Sequence, residues 1–227
     1  RKAFNGELRW FQQRTGPTRD WHVFTDETLD RFKPSDVSAE ELMILRKLSV
    51  QQGQMHGREA ATLLQRRRYI RMLLRLGRWI TELLEDKHAP GLWGPVLPFA
   101  GKALGSAHRD LLRQIERARP GSMEDMHKVR LCGKKVRYAG EFFSSLFGRE
   151  DAQAYVQTVE RLQDRLGAAN DARVARGLVM ELEHGKLKPE TIYGIQAWSH
   201  RRVSRCLDQA QPVLQALQSA EAFWSKP

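Results

Sequence analysis

The sequence predicts an all-α protein: two pseudo-symmetric antiparallel helical bundles with a basic groove or channel between them. Three observations carry that expectation. Leu, Ala, Arg, Gln and Glu dominate, and these side chains lose little freedom on entering a helix. β-Branched runs are few, while apolar residues recur at helical spacing almost throughout. A faint internal repeat then pairs Gln12/Gln163, Arg14/Arg165, Gly16/Gly167, Asp20/Asp171 and Val23/Val174 at one spacing of 151 residues.

Taken in order, the periodicity predicts helices near 3–15, 19–32, 38–53, 57–86, 99–118, 123–147, 151–166, 171–184 and 190–219. Gly16, Gly148, Gly167 and Gly185 read as C-terminal stops, because glycine reaches the left-handed conformation without a steric cost. Ser38-Ala-Glu-Glu41 and Ser122-Met-Glu-Asp125 read as capping boxes that open two of the helices. Pro189 fits a first helical position, where its missing N–H costs nothing. The Pro/Gly-rich stretch 88–100 separates a first half, 1–87, from a second, 101–227, the two together making one domain. The repeat places a basic helix ahead of residue 171; its counterpart in the first half is expected before residue 1.

Composition narrows the function classes. Hydrophobic residues make up 41% of 227 residues, enough for a core and too many for a disordered chain. No run approaches the roughly 20 apolar residues of a membrane span. Cys132 and Cys206 suffice for neither a disulfide framework nor a Cys-ligated zinc site, which points to a reducing, cytoplasmic setting. The formal charge of +11 predicts a polyanionic partner without saying which. Six arginines and no acid lie between Glu59 and Glu82, so Arg67, Arg71, Arg75 and Arg78 share one face and repel each other. Arg109, Arg113 and Arg117 form a second stripe, and His200, Arg201, Arg202 and Arg205 a less regular cluster.

The most informative stretch is 125–143. At 100° per residue, His127, Arg130, Lys134, Arg137, Tyr138 and Glu141 fall within about 100° of arc. Lys128 and Lys135 flank that row. Val129, Cys132, Val136, Ala139 and Phe143 take the opposite side. Glu141 is the one acid in the stripe, so its cations are expected to lack local partners. Spaced guanidinium and ammonium groups on a rigid helix suit successive phosphates of a linear polyanion.

The run His127-x-x-Arg130-x-x-x-Lys134-Lys135-x-Arg137-Tyr138-x-x-Glu141-Phe142-Phe143 resembles the signature of the CHAD family, the conserved histidine α-helical domains. Leu162-Gln-Asp-x-x-Gly167-x-x-Asn170-Asp171-x-x-Val174 is similar to the helix–turn–helix that follows it there. Glu7-Leu-Arg-Trp10 and Gly16-Pro-Thr-Arg-Asp-Trp-His-Val23 resemble the matching part of the family's first half. The resemblance implies two bundles around a basic channel that binds inorganic polyphosphate, with His127, Arg130, Lys134, Lys135 and Arg137 as ligands. Tyr138, Arg67, Arg71, Arg75, Arg109, Arg113, Arg201 and Arg205 are additional candidates. It also implies association with polyphosphate granules, or with a CYTH-type triphosphatase domain in cis or in trans. The family's first His/Arg-rich helix has no match in this chain.

Other chemistries are weaker in the sequence. A non-specific nucleic-acid-binding helical protein is the alternative, although no recognition helix or aromatic platform stands out. After it comes a helical di-iron carboxylate protein, because Glu124-x-x-His127 and Glu181-x-x-His184 have the spacing such sites use. A P-loop fails on spacing, with Ala103 in the Ser/Thr position. Asp20 and Asp171 read as helix caps or as groups that orient basic side chains. No nucleophile–base pair emerges, so the expectation is a binding module: no enzyme, no metal, no cofactor and no membrane contact.

Overall fold

The computed structural model describes residues 2–33, 35–86, 93–182 and 187–225. Among them lie seven α-helices and no strand: α1 (Lys2–Val23), α2 (Ala39–Leu64), α3 (Arg67–Glu85), α4 (Val96–Arg117), α5 (Met123–Phe143), α6 (Arg149–Glu181) and α7 (Pro189–Gln218). A π-helical turn, Phe24–Thr28, and a 3-10 turn, Leu29–Arg31, follow α1. No described helix is long and apolar enough to cross a membrane.

Cap chemistry sets several ends as the sequence predicts. Ser38 Oγ accepts the Glu41 N–H, and Ser122 Oγ accepts the Asp125 N–H, each three residues into the following helix. Pro189 is the first residue of α7.

Two predicted breaks are absent. The stops at Gly16 and Gly167 do not occur: α1 runs through Gly16-Pro17, and α6 runs unbroken from 149 to 181. Asp20 and Asp171 therefore lie inside helices and cap neither. The reason is tertiary contact overriding local propensity. Phe11 stacks on Tyr69 at 5.2 Å between ring centres, and Trp21, one turn past Pro17, is fully buried. Helix α2 likewise continues through Gly53 and Gly57, and the chain breaks instead at Gln65–Arg66. A Cβ on Gly53 would rest 3.8 Å from Trp21 Cβ, and Thr18 Oγ1 donates to the His56 carbonyl at 2.9 Å. These contacts hold α1 against α2 along the stretch where the sequence predicts a break. Gly148 does interrupt the helix, just before α6, without a positive φ. Gly185 and His184 lie outside the described residues.

The chain forms two compact units. The first takes 1–93 and 174–198; the second takes 94–173 and 199–227. They divide at Trp93–Gly94, inside the Pro/Gly-rich stretch, but residues 174–198 of the second half cluster with the first unit.

In the first unit, Trp21, Phe24, Leu29 and Leu45 are fully buried, and Phe32 meets Trp198 edge-on at 4.6 Å. Glu41, itself buried, accepts the Thr191 hydroxyl at 2.9 Å and the Lys188 N–H at 3.3 Å. A carboxylate from the first turn of α2 thus serves the N-terminus of α7, where orphan N–H groups and the helix dipole favour negative charge.

The second unit is built on α4, α5 and parts of α6 and α7. Leu104, Leu111, Val129, Val136, Val159 and Leu162 are fully buried there. His108 Nδ1 lies 2.6 Å from the Tyr155 hydroxyl, with the Trp224 ring at 5.3 Å.

Candidate anion-binding site

Helix α5 carries the site because its two faces differ in kind. Met126, Val129, Gly133, Val136, Gly140 and Phe143 are buried, a spacing of three and four that keeps one stripe against the core. Cys132 and Ala139, expected on that face, are half-buried at its margin. Gly133 and Gly140 sit in the middle of the stripe and bring α6 close. A Cβ on Gly140 would come within 2.8 Å of Val156 Cγ2, and one on Gly133 would touch Gln163 and Val159 at 3.7–3.8 Å.

The contact is reciprocal. Gln163 of α6 lies over Gly133 of α5, and Arg130 of α5 lies over Gly167 of α6, with Nε and Nη2 3.7 and 3.8 Å from where a Cβ would stand. Each glycine is a seat for a polar side chain of the facing helix. Both separations are in the ordinary van der Waals range, so each side chain rests flat on the facing helix.

Both seated side chains hold buried donors without a protein acceptor. Arg130 Nε and Gln163 Nε2 are enclosed and have no hydrogen-bond partner among the described residues; Arg202 Nε shares that state. Arg137 Nε is a fourth such donor on this unit and Trp21 Nε1 a fifth on the first; nearly all buried polar groups in proteins are paired, so four orphans on one unit ask for an acceptor from outside. Ser199 Oγ donates to the Ala172 carbonyl, fixing α7 against α6. Arg202, three residues further along α7, shares that helix face; the antiparallel course puts it about one turn back on α6, towards Gly167.

Around them the field is positive. The His127 pKa lies below its ordinary value, first because of partial burial, then because of Arg130, Arg173 and Lys134. Three cations are thus close enough to His127 to disfavour a fourth charge.

The predicted row of cations does not behave as one. Arg130 lies over α6 and His127 feels Arg173 of that helix, with Lys134 near His127. Arg137 is partly neutralised, contrary to the expectation that the stripe lacks local partners: its Nε lies 3.3 Å from Glu141 and its Nη1 4.0 Å from Glu160. Lys135 turns to α4, where it lines an opening of about 370 Å³ with Asp110, Arg113, Gln114, Arg117 and Cys132. Arg113 pairs there with Asp110. Arg109 is exposed, as are Arg201 and Arg205 on α7 and the Tyr138 ring under the Arg137 guanidinium at 5.2 Å. Lys128 is held by Glu124 at 2.9 Å and Asp125 at 3.3 Å, which occupies the carboxylate of the Glu124-x-x-His127 pair.

Arg67, Arg71 and Arg75 belong to the first unit, exposed along α3 with no ion pair among the described residues. Their neighbours do find acids: Arg68 binds Glu7 at 2.7 Å across helices, and Arg78 binds Glu82 at 2.7 Å. The sequence grouped Arg202 with His200, Arg201 and Arg205 but took only Arg201 and Arg205 as candidate ligands. Helical phase separates them, since 199, 202 and 206 share the inward face. It also passed over Gln163, whose signal is a polar residue between Leu162 and Leu166 on a buried stripe.

With this geometry in hand, comparison with known proteins assigns the chain. The CHAD domain family matches residues 1–180, and the chain belongs to that family. A crystal structure of the CHAD domain from the plant Ricinus communis superposes with a TM-score of 0.77 at 28% identity, covering 97% of this chain and 74% of that one. No curated protein matches the chain.

Proposed function

We propose that this chain binds inorganic polyphosphate, using His127, Arg130, Lys134, Arg137 and Lys135 on α5 together with Arg202 and Arg173. The observation that carries the reading is the buried, acceptor-less guanidinium nitrogen of Arg130 near a histidine whose pKa is lowered by burial and then by Arg130, Arg173 and Lys134, with a second such nitrogen on Arg202 of the same unit. Such a cluster is stabilised by an acceptor-rich, multiply charged ligand and by little else. CHAD domains as a family are associated with polyphosphate binding, which supports the same choice. Tyr138, Arg109, Arg113, Arg201 and Arg205 on the second unit, and Arg67, Arg71 and Arg75 on the first, are further groups that each unit offers to a polyanion. The chain acts as a binding module and not as a catalyst. Its place is the cytoplasm, on polyphosphate granules or beside a CYTH-type triphosphatase domain that it supplies.

Competition tests this. Labelled long-chain polyphosphate is set against duplex DNA at matched phosphate, at about 0.05 and 0.3 M salt, since counterion release weakens generic contacts steeply. Polyphosphate is expected to win at the higher salt, and Arg130→Ala/Lys134→Ala/Arg137→Ala to abolish that preference. Equal competition by the two polymers, with the triple variant losing only a generic charge effect, would make the site a non-specific nucleic-acid surface instead.

A further inference from the structure

We propose that Gln163 is itself a ligand of the bound polyanion: a neutral donor that, with Arg130, grips phosphoryl oxygen at the α5–α6 seam. The inference rests on the polyphosphate reading and adds to it a contact made without charge.

Three observations point to Gln163. Its side chain is 92% buried, with 8% of its surface exposed, yet Nε2 finds no acceptor among the described residues. Leaving a buried donor unpaired costs more than a hydrogen bond returns, so an amide kept on a stripe of Val159, Leu162 and Leu166 requires a reason. The residue is also packed directly on α5: its Nε2 and Cγ lie 3.7 and 3.8 Å from a would-be Cβ of Gly133, in ordinary van der Waals range. The same seam seats Arg130 over Gly167, one turn along α6 from Gln163, and its Nε is likewise unpaired.

The chemistry selects the partner. Arg130 is a donor only, and the charged groups nearest His127 are Arg130, Arg173 and Lys134, donors all. A group that is itself part donor, such as a hydroxyl, would satisfy one of the two orphans and leave a proton facing another donor. A phosphoryl oxygen accepts from both. An amide at such a position adds direction without adding to the charge neutralised, so it contributes affinity that salt does not screen.

The test uses near-isosteric Gln163→Met, with Arg130→Ala as the comparison, in polyphosphate titrations across a salt series. For Gln163→Met the affinity is expected to fall about tenfold at every salt concentration, its log–log line parallel to wild type. For Arg130→Ala the line itself should flatten, by about 0.7 for one lost cation on a single strand. The unliganded Gln163→Met chain should melt at the same temperature or higher, because an unpaired donor has been removed from the core. Unchanged affinity in Gln163→Met while the wild type binds polyphosphate overturns the inference and leaves the functional reading standing. A lowered melting temperature also overturns it, showing that the amide carbonyl already serves a protein donor. Failure of the wild type to bind polyphosphate removes both.

Discussion

The Glu41 carboxylate and the Thr191 hydroxyl, 150 positions apart in the chain, share a buried 2.9 Å hydrogen bond that joins the first turns of α2 and α7. Burial alone would raise the Glu41 pKa, but the Thr191 and Lys188 hydrogen bonds and the Lys188 ammonium at 3.5 Å together hold it below the ordinary carboxylate value. A depressed folded-state pKa means stability present above the unfolded value and lost as pH falls through the folded one. Glu41→Gln is expected to cost about 1–3 kcal/mol at neutral pH in denaturant melts, and to flatten the acid limb of the stability profile.

Two glycines on helices should respond in opposite directions to the same change. A Cβ on Gly194 would run into the Asp36 carbonyl oxygen, a backbone atom that cannot swing aside. Gly194→Ala should therefore destabilise by about 3 kcal/mol or more. Gly177, inside α6, has nothing within 4 Å of its would-be Cβ. Gly177→Ala should stabilise by about 0.5–1 kcal/mol through helix propensity alone. Thermal melts of the two variants check the pair.

Polyphosphate binding should take up a proton. Free His127 is held below its ordinary pKa by burial and three cations, so near neutral pH it is uncharged. A bound polyanion reverses the sign of the local field and raises that pKa, so affinity should increase as pH falls from about 7.5 to 6. Calorimetry in two buffers of different ionisation enthalpy counts the protons, and His127→Gln should abolish the uptake.

Acid should also weaken the unliganded chain through His108. Burial, with Arg109 adding to it, lowers this histidine's pKa beside the Tyr155 hydroxyl. Below about pH 6.5 the unfolded chain binds a proton that the folded one does not, so stability falls with pH through that window. His108→Gln, measured from pH 7.5 to 5, should show a shallower decline than wild type.

Much of this was legible in the sequence, and the misreadings share one cause. Ser38, Ser122 and Pro189 act locally, on N–H groups within a turn of themselves, and their meaning could be read from neighbours in sequence. Gly16 and Gly167 look the same as helix stops, but the packing that carries their helices onward lies elsewhere in the chain: Phe11 on Tyr69 beside the first, Arg130 over the second. The basic row on α5 followed from periodicity alone. Its sorting into Lys135 towards α4 and His127 and Arg130 towards α6 depends on which helices flank it. Gln163 was masked by its surroundings, since one amide on an apolar stripe leaves the period intact.

The discontinuous first unit also sets an order of events during synthesis. Residues 1–93 emerge from the ribosome ahead of their core partners Thr191 and Trp198, which come about a hundred residues later. Phe32 has no Trp198 to meet, and Glu41 no Thr191 to bind, until α7 has been made. Residues 1–93 therefore cannot complete their unit as soon as they are made. Helices α1 to α3 wait, apolar faces incomplete, while residues 94–173 are translated, and their core closes only once 174–198 have followed.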